Sequence, residues 1–332
     1  MTKKVVSNTL LFIGILTFVI VFKTFFGESN TLVGVTLIMS ILVLMSEDLT
    51  RKPGINFIKL LFLNVILGFF SYIANTNIWL GLVLNFVVLG GIGYFLSYNL
   101  NKNIIVPFGL QYLFMLYTPV SGIDFYKRIA GLIFSAILIM AIQLIIHRKK
   151  KDDNNLNETL EKDDVYKEIK VFGKMVEIHT IRARYAVRVG VVAAIAAFIV
   201  GYFELEQGRW IVYTIFSLTE FYSEHCKERS KQRLEGTIIG SLIVVVLFLI
   251  INDNSLRALI VLVAGYMDTY TNNYRDKMIC VTASVVASVS LVNGTLTTIF
   301  ERISYVCLGI VLALFINKFV LETTLEQREL TS

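Results

Sequence analysis

Apolar runs long enough to cross a bilayer recur along this chain, and they decide what it can fold into. Twelve can be drawn, at roughly 8–26, 32–46, 57–74, 79–97, 104–120 and 127–147, then 184–203, 210–223, 235–252, 255–270, 277–293 and 299–319. A transmembrane helix needs about 20 predominantly apolar residues, so twelve take up about 240 of the 332 residues. The rest must supply both tails and eleven connections, which makes most loops short turns and leaves no room for a separate soluble domain. Composition agrees: 17% of residues are charged, against about 25% in soluble domains, and mean hydropathy is +0.69. Three prolines and 21 glycines suit long uninterrupted helices. The strands of an outer-membrane barrel would read as alternating segments of about 10 residues instead. The chain reads as an all-α polytopic membrane protein with about 12 transmembrane helices. A soluble enzyme, a secreted disulfide scaffold and a disordered chain are excluded.

The charge is +6, which in a soluble protein would suggest nucleic acid. Here its ordinary meaning is topology, because Lys and Arg collect in cytoplasmic loops. With the N-terminus inside, twelve basic residues fall in the tail and inner loops and five in the outer loops. The run Arg148-Lys149-Lys150-Lys151 adds to the inner side. Both termini are expected in the cytoplasm, in a multi-pass protein of the cytoplasmic membrane. Lys3-Lys4 and the apolar run from Leu10 to Phe26 resemble a signal peptide, but the run is long and no A-x-A site follows, so it reads as a retained helix. Three cysteines and three histidines, without metal-ligand spacing, supply neither a metal site nor a disulfide framework. No phosphate loop, nucleophile elbow or zinc-protease motif is present. No cofactor, no enzyme activity and no nucleic-acid partner are expected.

Three regions follow. Residues 1–147 form a first membrane block, 148–183 a cytoplasmic linker, and 184–332 a second membrane block with a short tail. In the linker, Val165, Ile169, Phe172 and Val176 fall at i, i+4, i+7 and i+11, which predicts an amphipathic helix.

The two blocks resemble each other. Ser40, Ser46 and Glu47 match Ser217, Ser223 and Glu224 at an offset of 177. Gly93-Tyr94-x-x-x-Tyr98 matches Gly265-Tyr266-x-x-x-Tyr270 at 172, and Arg128-Ile129 matches Arg302-Ile303 at 174. An ordered series at nearly constant spacing predicts a duplicated six-helix unit. Six is even, so the two repeats run parallel, about an axis along the membrane normal. Such duplication typically builds a site between halves.

Charges inside apolar spans are costly and are functional candidates by default. Arg188 lies one turn beyond Arg184 in the seventh segment and is a candidate to bind the carboxylate of a substrate, with snorkelling to the cytoplasmic surface as the alternative. Arg128 and Arg302 each begin the last segment of a block. Together they would offer cations to an anion at the outer mouth, unless Asp124 and Glu301 neutralise them. Tyr94 and Tyr266 are candidates to line the same path, or to act as interfacial anchors. Glu220 and Asp268 are candidate proton-coupling acids, with a solvated helix end or an ion pair to Arg229 or Arg233 as the plainer reading. Gly236 and Gly240 form a G-x-x-x-G, a helix-packing motif.

The stretch from Arg184 to Leu249 resembles the fusaric acid resistance, or aromatic acid exporter, superfamily. The resemblance rests on the basic start at Arg184 and Arg188, the turn Gly208-Arg209-Trp210, and R-x-x-G-T-x-x-G, here Arg233, Gly236, Thr237 and Gly240. It extends over 184–320 and is poor over 1–147, where Asn56 and Lys59 stand in place of Arg233 and Gly236. Plant aluminium-activated malate transporters are distantly similar. The resemblance implies a six-helix membrane unit and export of small organic, including aromatic, anions. A passive anion channel and a non-transporting scaffold for cell-envelope assembly are the alternatives. Expected partners are the small organic anion and the lipid bilayer. A homo-oligomer or an accessory subunit is left open.

Overall fold

The computed structural model describes residues 2–97, 100–147, 166–171 and 174–324. Among them are twelve α-helices: α1 (Thr2–Phe26), α2 (Thr31–Leu44), α3 (Pro53–Ala74), α4 (Ile78–Phe95), α5 (Ile105–Tyr117), α6 (Gly122–Ile146), α7 (Thr180–Tyr202), α8 (Arg209–Leu218), α9 (Ser223–Ile250), α10 (Asn254–Asp268), α11 (Tyr274–Asn293) and α12 (Thr295–Phe319). A 3-10 turn, Glu28–Asn30, leads into α2. Eight helices are long and apolar enough to cross a membrane: α1, α3, α4, α6, α7, α9, α11 and α12. The other four are shorter. The 10 residues of α8 rise about 15 Å, half of a hydrocarbon core of about 30 Å. Twelve helices are present, therefore, but not twelve full spans. Large apolar side chains point outward along them, such as Leu10, Phe62, Leu249 and Phe315, as lipid-facing surfaces require.

The linker departs from expectation. The amphipathic helix read through Ile169 and Val176 does not form. Instead, β1 (Tyr166–Val171) and β2 (Lys174–His179) pair antiparallel, with Tyr166 opposite His179 and Val171 opposite Lys174. The physical reason lies in a competing period. Ile169-Lys170-Val171 and Val176-Glu177-Ile178 alternate β-branched and charged residues, and the two strands that contain them are separated in sequence by two residues ending in glycine, which is hairpin spacing. Glycine also disfavours a helix interior by about 1 kcal/mol. The basic run 148–151 lies outside the described residues, as do Val165, Phe172 and Tyr98.

The chain divides into two compact units, Met1–Thr17 with Ile199–Glu322, and Phe18–Phe198 with Thr323–Ser332. The first helix of each half thus belongs largely to the unit built from the other half. In the unit holding α2–α6, α7 packs on α4: a Cβ on Gly93 would lie 2.9 Å from Val189 and 3.2 Å from the Ala186 backbone. Arg182 donates to the Tyr94 carbonyl at 2.7 Å and covers its ring. Polar pairs bind the short α5 to its neighbours. Gln111 donates to Asn64 of α3 at 2.8 Å, and Tyr112 to Asn85 of α4 at 2.6 Å.

In the unit holding α8–α12, α1 packs on α10. Phe12 lies against Gly265 and Tyr266, Thr9 shares a hydrogen bond with the Tyr266 hydroxyl at 3.0 Å, and Asn8 donates to the Thr269 carbonyl at 3.1 Å. Val244, Phe248, Ile260, Ala283, Val286 and Ala287 form a core between α9, α10 and α11. Leu218, Cys226, Val306, Ile310 and Ala313 form a second, between α8, α9 and α12. Before α10, Asp253 accepts hydrogen bonds from the N–H groups of Ser255 and Leu256, which hold its carboxyl below the ordinary carboxylate range.

Two glycines let α9 and α11 approach closely. A Cβ on Gly236 would meet the Met278 Cβ at 2.6 Å, and one on Gly240 the Ile279 carbonyl oxygen at 2.7 Å. Thr237 turns its hydroxyl back to the Arg233 carbonyl at 2.8 Å. A Gly240→Leu change must push backbone against backbone. Overpacking of this kind typically costs 1–3 kcal/mol, so the detergent-solubilised variant is expected to melt several degrees below the parent in a thermal-shift assay. An unchanged melting temperature would show that this contact is not tight.

Candidate functional site

The helices α2 and α8, of 14 and 10 residues, rise less than the thickness of a hydrocarbon core, which sets the question of what satisfies the backbone groups at their ends. Such groups must be satisfied by protein, because hydrocarbon offers no partner. The last helix of each half supplies the partners. At the end of α2, Gln143 of α6 donates to the Leu44 carbonyl and accepts from the Leu49 N–H at 3.4 Å. At the end of α8, Asn317 of α12 accepts from the Glu220 N–H at 3.2 Å. Gln143 and Asn317 are both buried and stand 174 residues apart, the offset that relates Arg128 to Arg302.

Arg128 and Arg302 occupy the opposite ends of these clamps. Fifteen residues separate each from its amide, about 22 Å along a helix. Arg128 is buried on α6. It donates to Asn30 Oδ1 at 2.7 Å, the Ser29 carbonyl at 3.1 Å, the Met115 carbonyl at 3.4 Å and Thr118 Oγ1 at 3.5 Å. All four acceptors are neutral. The same arginine lines an open pocket of about 380 Å³ with Tyr72, Asn75, Thr76, Ser121 and Phe125. No other residue of that lining is charged.

Arg302 is equally buried, yet differently placed. Its guanidinium lies over the Trp210 ring, 4.0 Å from the centroid, while Nε and Nη1 have no hydrogen-bond partner. Arg233 and Arg209 act on it as like charges. Where Asn30 receives Arg128, the residue 177 positions further on, Gln207, instead receives Arg209, at 2.7 Å. Among the described residues neither Arg128 nor Arg302 forms an ion pair, although Asp124 is near enough to act on Arg128 as an opposite charge. Asp124 engages Ser29 through its carboxylate at 3.3 Å.

The structure places the remaining candidates as follows. Arg188 is fully buried on α7. Tyr94 and Tyr266 fasten α7 and α1 through the contacts given above. Tyr266 also shares a 2.6 Å hydrogen bond with Tyr270. Glu220 sits in the extended break after α8 and is paired with Arg229 at 2.7 Å. Asp268, at the end of α10, is half-buried and accepts from Thr271 at 3.3 Å. Arg233 is buried and donates to Met278 Sδ at 2.7 Å and the Tyr274 hydroxyl at 3.4 Å. Among the described residues no group of three or more metal-ligating side chains comes together.

Residues 194–316 match the family model described as fusaric acid resistance protein-like. The resemblance read from the sequence is therefore shown over that stretch. The matched segment runs from α7 into α12 and contains Arg302, Trp210, Glu220 and the Gly236/Gly240 contact. No curated protein and no solved structure matches the chain. The fusaric acid resistance-like segment and the eight apolar helices together indicate a membrane protein.

The two arginines make opposite predictions for stability. Removing Arg128 strips four acceptors of a charged donor. Hydrogen bonds to charged groups each contribute about 1.5–3 kcal/mol, so Arg128→Gln is expected to lower the melting temperature clearly. Removing Arg302 deletes a buried charge with no ionic partner, whose burial is itself costly. Arg302→Gln is expected to leave the melting temperature unchanged or raise it. Thermal melts of both variants in one detergent check the pair, and a larger loss for Arg302→Gln would contradict this assignment.

Proposed function

We propose that the protein moves small organic anions across the cytoplasmic membrane, in the direction of export, and that Arg128 and Arg302 take the carboxylate. The observation that carries this reading is the buried Arg302, which forms no ion pair among the described residues and whose Nε and Nη1 have no hydrogen-bond partner. A guanidinium buried at membrane depth is costly and is retained where it meets a counter-charge. If the protein supplies none, an anionic cargo can.

The pocket at Arg128 suits such a cargo. Its volume of about 380 Å³ falls within the range of small-molecule sites. Tyr72 and Phe125, with ring centroids 4.4 Å apart, offer flat walls beside the charge, as an aromatic carboxylate requires. Arg302, stacked on Trp210, presents two unused N–H donors and forms a second, enclosed stop. A guanidinium binds a carboxylate through two parallel N–H groups, which gives preference for carboxylates over halides.

The two halves act as parallel repeats in this reading. Support comes from the clamps at α2 and α8, from Gln143 and Asn317 at the same offset as the arginines, and from helix pairings common to both units: α3 with α5 and α6 as α9 with α11 and α12, α2 with α6 as α8 with α12, and α4 with α5 as α10 with α11. Both termini face the cytoplasm. Glu220, already paired with Arg229, is a weaker choice for proton coupling than the half-buried Asp268.

Efflux of radiolabelled benzoate from proteoliposomes tests the proposal. Arg302→Gln is expected to reduce the initial rate about tenfold or more, the loss of a charge-assisted pair, with Arg302→Lys intermediate because it keeps charge and loses the fork. Normal efflux through Arg302→Gln, or efflux no faster than from empty liposomes for a panel of carboxylates, would overturn it. Discrete single-channel steps in a planar bilayer would move the reading to a passive channel.

A further inference from the structure

An apolar groove opens in the unit built from α2–α6, away from Arg128. It holds about 620 Å³ and runs between α3 and α4. On α3 a stripe descends from Asn56 and Lys59 through Leu63 and Ile66 to Phe70; on α4 the wall is Val88, Gly91 and Phe95. Lys59 is its only charged lining residue and has no ion-pair partner among the described residues. Arg51 and Lys52 are exposed on the adjoining loop. Phe62 and Phe95, 67% and 73% exposed, flank the opening, so it faces a medium that tolerates aromatic surface.

The groove exists because the first half departs from the second at defined positions. At the repeat offset of 177, Gly236 and Gly240, which draw α9 against α11, are replaced by Lys59 and Leu63. At the offset of 174, the first residue of α5, Ile105, corresponds to Ile279, five residues inside α11. The first turn that would cover the groove is therefore absent from α5, and Ile104 and Phe108 form its edge instead.

We infer that this groove is a binding site for one acyl chain of an anionic phospholipid, with its phosphate on Lys59. The dimensions support it. Lys59 and Phe70 are eleven residues apart, about 16 Å along the helix, which is the depth of one leaflet of a core about 30 Å thick. The cation sits at the end where the basic loop Arg51-Lys52 lies, so the leaflet is the inner one by the positive-inside rule, and that leaflet carries the anionic lipid. The inference stands apart from the anion-transport reading and uses none of its residues.

Gly91 provides the test. A Cβ built there meets nothing within 4 Å, so a larger side chain enters the groove without disturbing helix packing. The full-length protein, delipidated in detergent, is offered equal dioleoylphosphatidylglycerol and dioleoylphosphatidylcholine, and bound lipid is counted by native mass spectrometry. The parent is expected to retain one phosphatidylglycerol with about fivefold preference, the scale of one basic residue at an anionic headgroup. Lys59→Gln should bring the two lipids level, and Gly91→Leu should abolish retention of both while the circular dichroism spectrum is unchanged. Retention by Gly91→Leu equal to the parent's would overturn the inference. Equal retention of the two lipids by the parent would also overturn it.

Discussion

The amide of a long helix that meets the broken backbone after a short one is the contact on which the rest of this structure depends. The helices α2 and α8 stop well short of a membrane thickness, and every backbone group they expose has to find a partner inside the protein. Gln143 on α6 and Asn317 on α12 supply such partners, and on each of these helices an arginine stands about 22 Å away. Gln143 and Asn317 meet the broken backbone beyond the short helices. Arg128 and Arg302 stand at the other end, beside Asn30 and Trp210. Within each unit this brace joins a short helix to the last helix of its half.

The brace also shows where the halves diverge. Arg128 has four neutral acceptors and borders a pocket. Arg302 has an aromatic face and two donors with nothing to hold. A buried cation gains little by facing an indole alone; a cation–π contact contributes about 2 kcal/mol when desolvated, against a penalty of several kcal/mol for burying the ion. In the proposed function the balance is restored by an anion. On this account the cost of burying Arg302 is met by the cargo, and the site is ready to accept one before it comes.

The apolar segments and the two arginines were legible in the sequence because both rest on composition at fixed spacing. The fusaric acid resistance-like stretch was legible for the same reason, through Arg233, Gly236, Thr237 and Gly240. Gln143 and Asn317 were not picked out, although they obey the offset of the arginines; a neutral amide in an apolar run attracts no attention until its backbone partner is seen. The end of α8 was hidden because Phe221 and Tyr222 continue the apolar run through a chain that has already left the helix. The exchange of α1 and α7 between units is a tertiary fact with no local signature. In the linker, a helical spacing at four positions lost to alternation of β-branched and charged residues around Gly173.

The central claim is that Arg302 is a cation waiting for an anion. Anomalous diffraction from crystals grown in bromide tests it most directly, since bromide is small enough to enter an enclosed site and is located without bias. The account predicts an anomalous peak within hydrogen-bond distance of Arg302 Nε or Nη1, beside the Trp210 ring, and its disappearance in Arg302→Gln. A guanidinium found paired with the Glu301 carboxylate, with no bromide beside it, would contradict the account.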